Sequence, residues 1–189
     1  MDYFAAPDRY EGEGFTLRCY RPDDGPALRE ATLESYAHLS PWMPWASERQ
    51  TPEEAERLVR QFQGRWLLAT DFTAAVFGPE GTLLGGTGFH LRGKGFATRS
   101  AEVGMWIRSS AAGQGLGTRV LEAMLSWGFS DAWPWTRLTW HCDAQNLGSK
   151  RVAEKCGLRL EATLIRNELG VDDTPRDTLM FALLESERE

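Results

Sequence analysis

The sequence lacks long apolar runs, and this absence limits where the protein can work. None of its segments approaches the ~20 consecutive apolar residues that a membrane-spanning helix requires. Residues 1–14 are acidic and lack the basic and then apolar pattern of a signal peptide. We therefore expect a cytoplasmic protein with no membrane partner.

Cysteine is scarce, and its spacing argues against the usual cysteine chemistry. Cys19, Cys142 and Cys156 form an odd set with no CxxC pair and no paired histidine spacing. This pattern suggests neither a disulfide framework nor a zinc site. We predict three buried thiols and no bound metal.

The sequence also has no surplus of basic residues. Its 21 lysines and arginines face 27 aspartates and glutamates, which gives a formal net charge of −6. Because clustered lysine and arginine bind phosphate backbones, this balance argues against a nucleic-acid partner. Mild acidity suits a basic partner, although it bears mainly on solubility.

What is present describes an ordinary globular chain. Hydrophobic residues make up 42% and charged residues 25% of the 189 positions, values close to those of average globular proteins. This length fits one domain. We expect a single domain over residues 1–189, since no long linker and no internal repeat divides the pattern.

The first third of the chain predicts a strand and two helices. Residues 15–20 alternate apolar and polar side chains, as in a strand with one buried face. Asp23 or Asp24 is placed to cap a helix that runs to Ser40, where prolines end it. The segment 51–54, Thr-Pro-Glu-Glu, predicts the start of a second helix that reaches about residue 69.

The rest of the chain predicts alternating strands and helices. Strands are expected at residues 72–77, 83–91, 101–107, 136–142, 160–167 and 178–184, and helices from Gly117 to before Pro134 and at residues 146–156, with Gly157 as a cap. This order of elements is typical of a mixed α/β sheet.

A glycine-rich turn joins the strand 101–107 to the helix after it. Its sequence is Gly113-Gln114-Gly115-Leu116-Gly117-Thr118. Glycines let an anion approach the backbone closely, and the free amides of a helix N-terminus attract negative charge. The turn therefore predicts a site for a pyrophosphate.

Two common phosphate motifs fit this turn poorly. A P-loop requires Lys and then Ser or Thr after its last glycine, whereas Gly117 is followed by Thr118 and Arg119. A Rossmann fingerprint requires GxGxxG after the first strand, whereas the spacing here is GxGxG midway through the chain. A flexible glycine turn without a ligand remains the alternative.

The segment 102–118 resembles the acetyl-CoA-binding motif of the GNAT N-acetyltransferase superfamily. In that motif a strand leads to (Arg or Gln)-x-x-Gly-x-(Gly or Ala) at a helix N-terminus. Gly115 and Gly117 match, and Ala112 stands where Arg or Gln is usual. This departure removes a side chain but no backbone donor, so the resemblance still implies binding of acetyl-CoA.

Two further segments are similar to the RimJ/RimL branch of that superfamily, which contains protein N-terminal acetyltransferases and their relatives. Residues 146–157 follow the pattern Asn-x-x-Ser-x-(Arg)-x-x-Glu-Lys-x-Gly. The segment 41–45, Pro-Trp-Met-Pro-Trp, and the segment 51–55 resemble its N-terminal region. The similarity covers about residues 15–184.

The resemblance implies a GNAT-like α/β fold. This fold has a mixed, mostly antiparallel central sheet of about seven strands, flanked by helices, with a splay between two central parallel strands. Acetyl-CoA is its cosubstrate. The residues that the resemblance assigns to acetyl-CoA are Met105, Trp106, Ile107, Gly113, Gln114, Gly115, Leu116, Gly117, Thr118 and Asn146. Core packing is an alternative role for Met105 and Ile107, and helix capping is one for Asn146.

The resemblance also implies two catalytic side chains. Glu102 begins the cofactor strand, at a position that is catalytic in relatives, and would accept a proton directly or through water. Ser149 would protonate the departing CoA thiolate. An α-amino group with a pKa near 8 is partly neutral at pH 7, so one carboxylate would suffice. A surface glutamate and a capping serine are the alternatives.

The positions of the histidines do not indicate a catalytic role. His141 alternates with Trp140 and Cys142, which favours a packed or exposed strand histidine over a base. His38 and His90 show no partner spacing typical of nucleophilic catalysis. We therefore expect the amine to attack the thioester directly in a ternary complex, without an acyl-enzyme.

The acceptor is the least determined part of the prediction. By resemblance, an acceptor groove would be lined by Trp42, Trp45, Glu48, Glu53 and Glu54, with the α-amino group of a protein or peptide N-terminus as the expected acceptor. The alternatives are a small amine, an aminoacyl nucleotide, a non-catalytic acyl-CoA-binding module, or a domain that binds another nucleotide. Relatives often form homodimers, so a homodimer is compatible with the resemblance.

Overall fold

The computed structural model describes residues 4–92 and 96–188. The strands in these residues are β1 (Arg9–Gly12), β2 (Phe15–Cys19), β3 (Phe72–Phe77), β4 (Leu83–His90), β5 (Ser100–Ile107), β6 (Arg137–Asp143), β7 (Arg159–Leu169) and β8 (Pro175–Leu184). The α-helices are α1 (Gly25–Glu34), α2 (Tyr36–Leu39), α3 (Pro52–Leu67), α4 (Leu116–Gly128) and α5 (Leu147–Lys155). The strands form one sheet in the order β1-β2-β3-β4-β5-β6-β8-β7.

The start of α1 corrects the predicted cap. Asp24 occupies the N-cap position, but its carboxylate makes no capping bond. It accepts two hydrogen bonds from Arg18, at 2.7 and 2.8 Å, and one from the backbone amide of Arg21 at 2.7 Å. The carboxylate of Asp24, which is the residue at the N-cap position, pairs with Arg18 on β2 instead. Neither Asp23 nor Asp24 therefore caps α1 through its side chain.

The helix predicted to continue to Ser40 is interrupted at Ser35, so that α1 and the single turn α2 follow each other. The predicted start of α3 is confirmed. Thr51 and Glu54 form a capping box, with bonds of 3.2 and 2.8 Å between each side chain and the other residue's amide.

Strand β1 was not predicted and raises the strand count from about seven to eight within the described residues. Its four residues are half-buried or exposed and pair antiparallel with β2. A polar edge strand of this length carries no alternation signal, because only its partner determines that it is extended. Strands β7 and β8 are also longer than predicted. Because β7 is almost wholly exposed, its residues likewise show no alternation of buried and exposed side chains that would predict its ends.

The centre of the sheet contains the expected splay. Strands β5 and β6 pair in parallel at only three positions, the last of which joins Glu102 to Thr139. Beyond that point β5 stays paired with β4 as far as Ile107, and β6 stays paired with β8 as far as Asp143. The two facing edges therefore separate, and the mixed, mostly antiparallel fold with a parallel splay is confirmed.

The helices cover the two faces of the sheet differently. Helices α4 and α5 pack on one face, where Val103, Met105 and Ile107 join the larger hydrophobic core. Helix α1 and most of α3 cover the other face, where Trp106 packs against the smaller core. We call these the α4 face and the α1 face. Because side chains alternate along a strand, Glu102 and Gly104 share the α1 face with Trp106.

The larger core is dominated by aromatic rings. Rings from residues 4 to 135 contact one another in tilted, edge-on or stacked pairs: Phe4, Trp66, Phe72, Phe89, Phe96, Trp127, Trp133 and Trp135. This cluster joins the end of α3, the end of α4 and the start of β6 into one rigid body. In residues 4–92 and 96–188, no helix is both long and apolar enough to cross a membrane.

Candidate active site

The glycine-rich turn leads directly into α4, which begins at Leu116. Gly113 and Gly115 have φ values of 74° and 78°, a left-handed conformation that side chains disfavour. Gly115 is the N-cap, and no side chain of the described residues caps the helix. The first bond within the helix runs from the amide of Arg119 to the carbonyl of Gly115. The amides of the first turn, including Gly117 and Thr118, are therefore available to an anion.

Two side chains brace this turn. Gln114 donates from its amide to the carbonyl of Ser110 at 3.0 Å, and Arg119 donates to the carbonyl of Gln114 at 3.4 Å. Leu116 is buried in the larger core, so only its backbone faces the turn. Arg119, which the sequence reasoning left without a role, adds a cation one turn into the helix. In the sequence, a basic residue shortly after the glycine-rich turn could have indicated that Arg119 belongs to the site.

Strand β5 presents an unpaired backbone edge to the splay from Val103 to Ile107. The side chains of Met105 and Ile107 pack in the larger core, as in the core-packing alternative. Trp106 lies on the α1 face, with its ring edge-on to that of Trp45 at 6.0 Å between centroids. The backbone edge is thus free to pair with an extended ligand, whatever its side chains contact.

Asn146 and Ser149 lie together at the start of α5. The side-chain carbonyl of Asn146 accepts from the amide of Ser149 at 3.0 Å, so Asn146 is the helix N-cap. This bond leaves the amide NH₂ of Asn146 for another partner. The hydroxyl of Ser149 accepts from the indole of Trp140 at 3.0 Å and can donate its own proton, for which the nearby sulfur of Cys142 is one acceptor. Both residues lie on the α4 face, because Trp140 belongs to the larger core.

Glu102 lies on the opposite, α1 face and is almost buried, with 11% of its side chain exposed. Arg92 donates to its carboxylate at 3.0 Å, and the Nδ1 atom of His141 lies 3.1 Å from the same oxygen. Burial raises the pKa of Glu102, but hydrogen bonds from His141 and Arg92 outweigh it and lower the pKa to about 2. Glu102 is therefore ionised at neutral pH and is a weak base.

His141 lies on β6 and is partly exposed, at 31% of its side chain, and it is also the partner of Glu102. Its other ring nitrogen, Nε2, is buried and has no hydrogen-bond partner in residues 4–92 and 96–188. Local sequence could not reveal this pair, because the parallel pairing of β5 and β6 brings together residues far apart in the chain.

A second carboxylate–histidine pair lies beside the first. The Nδ1 atom of His90 lies 2.9 and 3.1 Å from the two carboxylate oxygens of Asp71, and Thr73 donates to Asp71 at 2.9 Å. Burial raises the pKa of Asp71, but the contacts with His90 and Thr73 leave it lowered. The spacing of residues in the sequence did not predict a partner for His90. The register of the β3–β4 hairpin, which pairs Phe72 with Phe89, could have predicted that Asp71 lies beside His90.

The predicted acceptor groove corresponds in part to a shallow cavity between α3 and the loop before it. The cavity has a volume of about 370 Å³ and is lined by Trp45, Ser47, Gln50, Glu54, Arg57, Leu58 and Gln61. Trp45 is 49% exposed, so it is not a core anchor. Trp42, Glu48 and Glu53 do not line this cavity, and one carboxylate oxygen of Glu54 is engaged in the helix cap.

The cysteines match their prediction with one exception. Cys19 and Cys142 are buried, whereas Cys156 is only half-buried. Burial raises the pKa of Cys19 and of Cys156 to about 12, so both are protonated at neutral pH. The described residues contain no group of three or more His, Cys, Asp or Glu side chains that could hold a metal ion.

The splayed pair of parallel strands beside an uncapped, glycine-rich helix N-terminus is the arrangement that the resemblance to GNAT acetyltransferases implies. Residues 15–159 match the acetyltransferase (GNAT) domain, and the chain belongs to this family. It is therefore an acetyl-CoA-dependent N-acetyltransferase.

Known proteins of this family resemble the chain over most of its length. YdaF of Bacillus subtilis (strain 168), named as a candidate ribosomal N-acetyltransferase, is 24% identical over 178 residues, which are 94% of each protein. RimL, a ribosomal L7/L12 alpha-N-protein acetyltransferase solved with coenzyme A, matches with a TM-score of 0.84 at 20% identity, over 96% of this chain and 100% of its own. RimJ of Mycobacterium smegmatis, solved with a CoA disulfide, matches with a TM-score of 0.81 at 26% identity, over 92% of this chain and 83% of its own.

Proposed function

We propose that this enzyme acetylates the α-amino group of a protein or peptide N-terminus, with ribosomal proteins as the first class to test. The observation that carries the proposal is the splay, beside which Ser149 lies on the α4 face and Glu102 on the α1 face. A thioester held in the splay can be reached by an amine from the α1 face while the rest of acetyl-CoA stays on the α4 face. The names of YdaF and RimL support the choice of ribosomal proteins.

The proposed cofactor site uses backbone groups for most of its contacts. The amides of the turn from Gly113 to Thr118 would hold the pyrophosphate, since helix N-termini attract phosphate. The backbone of Met105, Trp106 and Ile107 would pair with the pantetheine amides. The free amide of Asn146 would contact a pantetheine carbonyl.

The two proposed catalytic side chains act on opposite faces. On the α4 face, Ser149 would donate its hydroxyl proton to the CoA thiolate as it departs. On the α1 face, Glu102 would attract and orient the incoming ammonium group, because it is buried and ionised.

The acceptor is best tested with a screen that follows the release of CoA thiol. The panel would contain N-terminal peptides of ribosomal proteins, polyamines and aminoacyl nucleotides, together with a copy of each peptide whose N-terminus is blocked and whose lysines are free. We expect turnover of unblocked peptides only, with the acetyl group found on the α-nitrogen by mass spectrometry. Turnover confined to small amines or to lysine side chains would refute the α-amino proposal.

Calorimetry tests the cofactor assignment separately. We expect CoA to bind more tightly than ATP or NAD. Binding of CoA without thiol release for any acceptor would instead favour a non-catalytic acyl-CoA-binding module. Tighter binding of ATP would contradict the pyrophosphate site proposed for CoA.

A further inference from the structure

Four ionisable side chains form a row across the α1 face, one on or beside each of four neighbouring strands. In order across the sheet they are Asp71, His90, Glu102 and His141. The antiparallel register places His90 directly opposite Glu102, at the short cross-strand distance over which side chains interact. Asp71 pairs with His90, and Glu102 pairs with His141, as described above.

Gly104 determines where the imidazole of His90 lies. A Cβ atom added at Gly104 would be 2.8 Å from the Nε2 atom of His90, closer than real side chains allow. The ring therefore rests on the bare backbone of β5, two residues beyond the last position that pairs with β6. This is the mouth of the splay, and the nitrogen nearest to the backbone there is Nε2.

The other two candidates in the row are less suited to remove a proton. Glu102 is held by Arg92 and His141, so protonating it would break both contacts. The Nε2 atom of His141 is buried and does not meet an acceptor arriving from solvent. His90 retains partial exposure, with 21% of its side chain accessible.

Resting on the function proposed above, we propose that His90 is the general base of the acetyl transfer and that Asp71 is its positioning residue. Asp71 contacts Nδ1, so it fixes the ring with Nε2 beside Gly104, two residues beyond the last position of β5 that pairs with β6. An imidazole is also the side chain best matched to proton exchange with an amine near neutral pH. His141 also has a held Nδ1 and is more exposed, at 31% of its side chain, but its Nε2 atom is buried, so His90 is the better placed of the two paired histidines.

The step balances in protons and electrons. Nε2 accepts one proton from the acceptor ammonium, which leaves a neutral amine. The nitrogen lone pair forms the bond to the thioester carbon, and the carbon–sulfur bond breaks with its electron pair on sulfur. A second proton from the nitrogen ends on the thiol of CoA, and His90 releases the first proton to solvent. One ammonium and one thioester thus give one amide, one thiol and one proton.

Charged groups from every neighbouring element face His90. They are Asp71 just before β3, Arg65 at the end of α3, Arg92 after β4, Glu102 on β5 and His141 on β6. The two guanidiniums offset the two carboxylates, so these fixed charges leave no net charge beside His90.

The test compares the pH dependence of kcat/KM for the wild type and the His90→Gln and Asp71→Asn variants, with an acceptor that the wild type turns over. We expect His90→Gln to lower kcat/KM about 100-fold near pH 7. This reduction in kcat/KM should become about tenfold smaller for each pH unit up to about pH 8, because the α-amine of the acceptor then loses its proton to solvent without a base. Asp71→Asn should cause a smaller loss with the same shape, and imidazole should restore part of the activity of His90→Ala.

Controls separate a catalytic from a structural role. His38→Gln, at an exposed position of α2, should leave the pH profile unchanged. Acetyl-CoA titration should give the wild-type affinity for each His90 and Asp71 variant, which excludes misfolding. The proposal is overturned if His90→Gln keeps the wild-type pH profile, or if His141→Gln produces the pH-dependent loss instead. If the wild type acetylates only small amines, the acceptor assignment fails while the comparison of variants proceeds on the small amine.

Discussion

The environment of Glu102 shows how a carboxylate acquires its properties from its neighbours. A buried carboxyl group ordinarily gains a proton, because burial disfavours its charge. Here Arg92 and His141 reverse that tendency and lower its pKa to about 2. The residue that family resemblance implies to be a base is thereby converted into a fixed anion beside the splay.

Glu102 should make the stability of the protein depend on acid pH. Its folded pKa of about 2 lies below the ordinary value of 4.5, so its stabilising contribution is complete above about pH 4.5 and is lost as the pH falls toward 2. We expect Glu102→Gln to lower the free energy of unfolding by about 3 kcal/mol at neutral pH. The difference from wild type should narrow between about pH 4.5 and pH 2.

Urea unfolding at several pH values measures this effect. Glu80→Gln, in the exposed turn between β3 and β4, is the matched control and should change neither the stability nor its pH dependence. A constant difference between Glu102→Gln and wild type across this pH range would show that the ion pairs of Glu102 do not lower its pKa.

At the scale of an element, the N-terminus of α4 combines a left-handed glycine with an uncapped first turn. Replacement of Gly115 by Val should disturb the turn and lower the affinity for CoA by at least about tenfold, since the amides would no longer converge on the phosphates. Calorimetric titration with CoA measures the change.

Gly14 provides the control for backbone strain. It has a φ value of 76° and open space around it, in the turn between β1 and β2. Gly14→Val should therefore carry a similar conformational cost, about 1–2 kcal/mol, without affecting CoA binding. Equal losses of CoA affinity in both variants would mean that strain, and not the turn, determines binding.

Another element-scale feature fixes α1 to the end of β5. The nearly buried guanidinium of Arg108 donates to Glu34 at 2.7 Å and to Glu30 at 2.6 Å. Hydrogen bonds from Arg108 and Ser110 lower the pKa of Glu34 to about 2. This contact holds α1 against the strand that carries the cofactor edge.

Arg108→Ala should destabilise the fold by about 1–2 kcal/mol, because Glu30 and Glu34 lose a nearly buried hydrogen-bond donor while solvent still screens their charges. Arg60→Ala removes an exposed ion pair with Glu56 one turn away on α3, and it should cost no more than about 0.5 kcal/mol. Denaturant unfolding compares the two variants, and equal losses would contradict the role assigned to Arg108.

At the scale of the whole molecule, the sheet separates the two halves of the proposed reaction. Ser149 and the glycine-rich turn lie on the α4 face, whereas Glu102 and His90 lie on the α1 face. The splay between β5 and β6 is the passage that connects them. Each substrate thus has its own side of the sheet and need not leave before the other enters.

This separation predicts sequential kinetics. Initial rates measured while both acetyl-CoA and the acceptor are varied should give intersecting double-reciprocal lines, because both substrates are bound when the amine attacks. Parallel lines, or acetyl-enzyme detected by mass spectrometry in the absence of acceptor, would contradict direct attack.

Much of the fold could be predicted from local sequence. The capping box at Thr51, the glycine-rich turn and the apolar spacing of α4 are all short-range patterns, and each corresponds to an observed element. Predictions from local sequence fail where a residue distant in the chain determines the local structure. Strand β1 is extended because β2 pairs with it, and Asp24 does not cap α1 because Arg18 binds it.

The sequence by itself determined the family, the position of the glycine-rich turn and the residues that precede and follow it, because these depend on neighbours within a few positions. Only the tertiary structure decided that Glu102 and Ser149 lie on opposite faces, that His141 holds Glu102, and that Asp71 holds His90 at the splay. These pairings depend on strand register and on the order of strands in the sheet, which bring distant residues into contact.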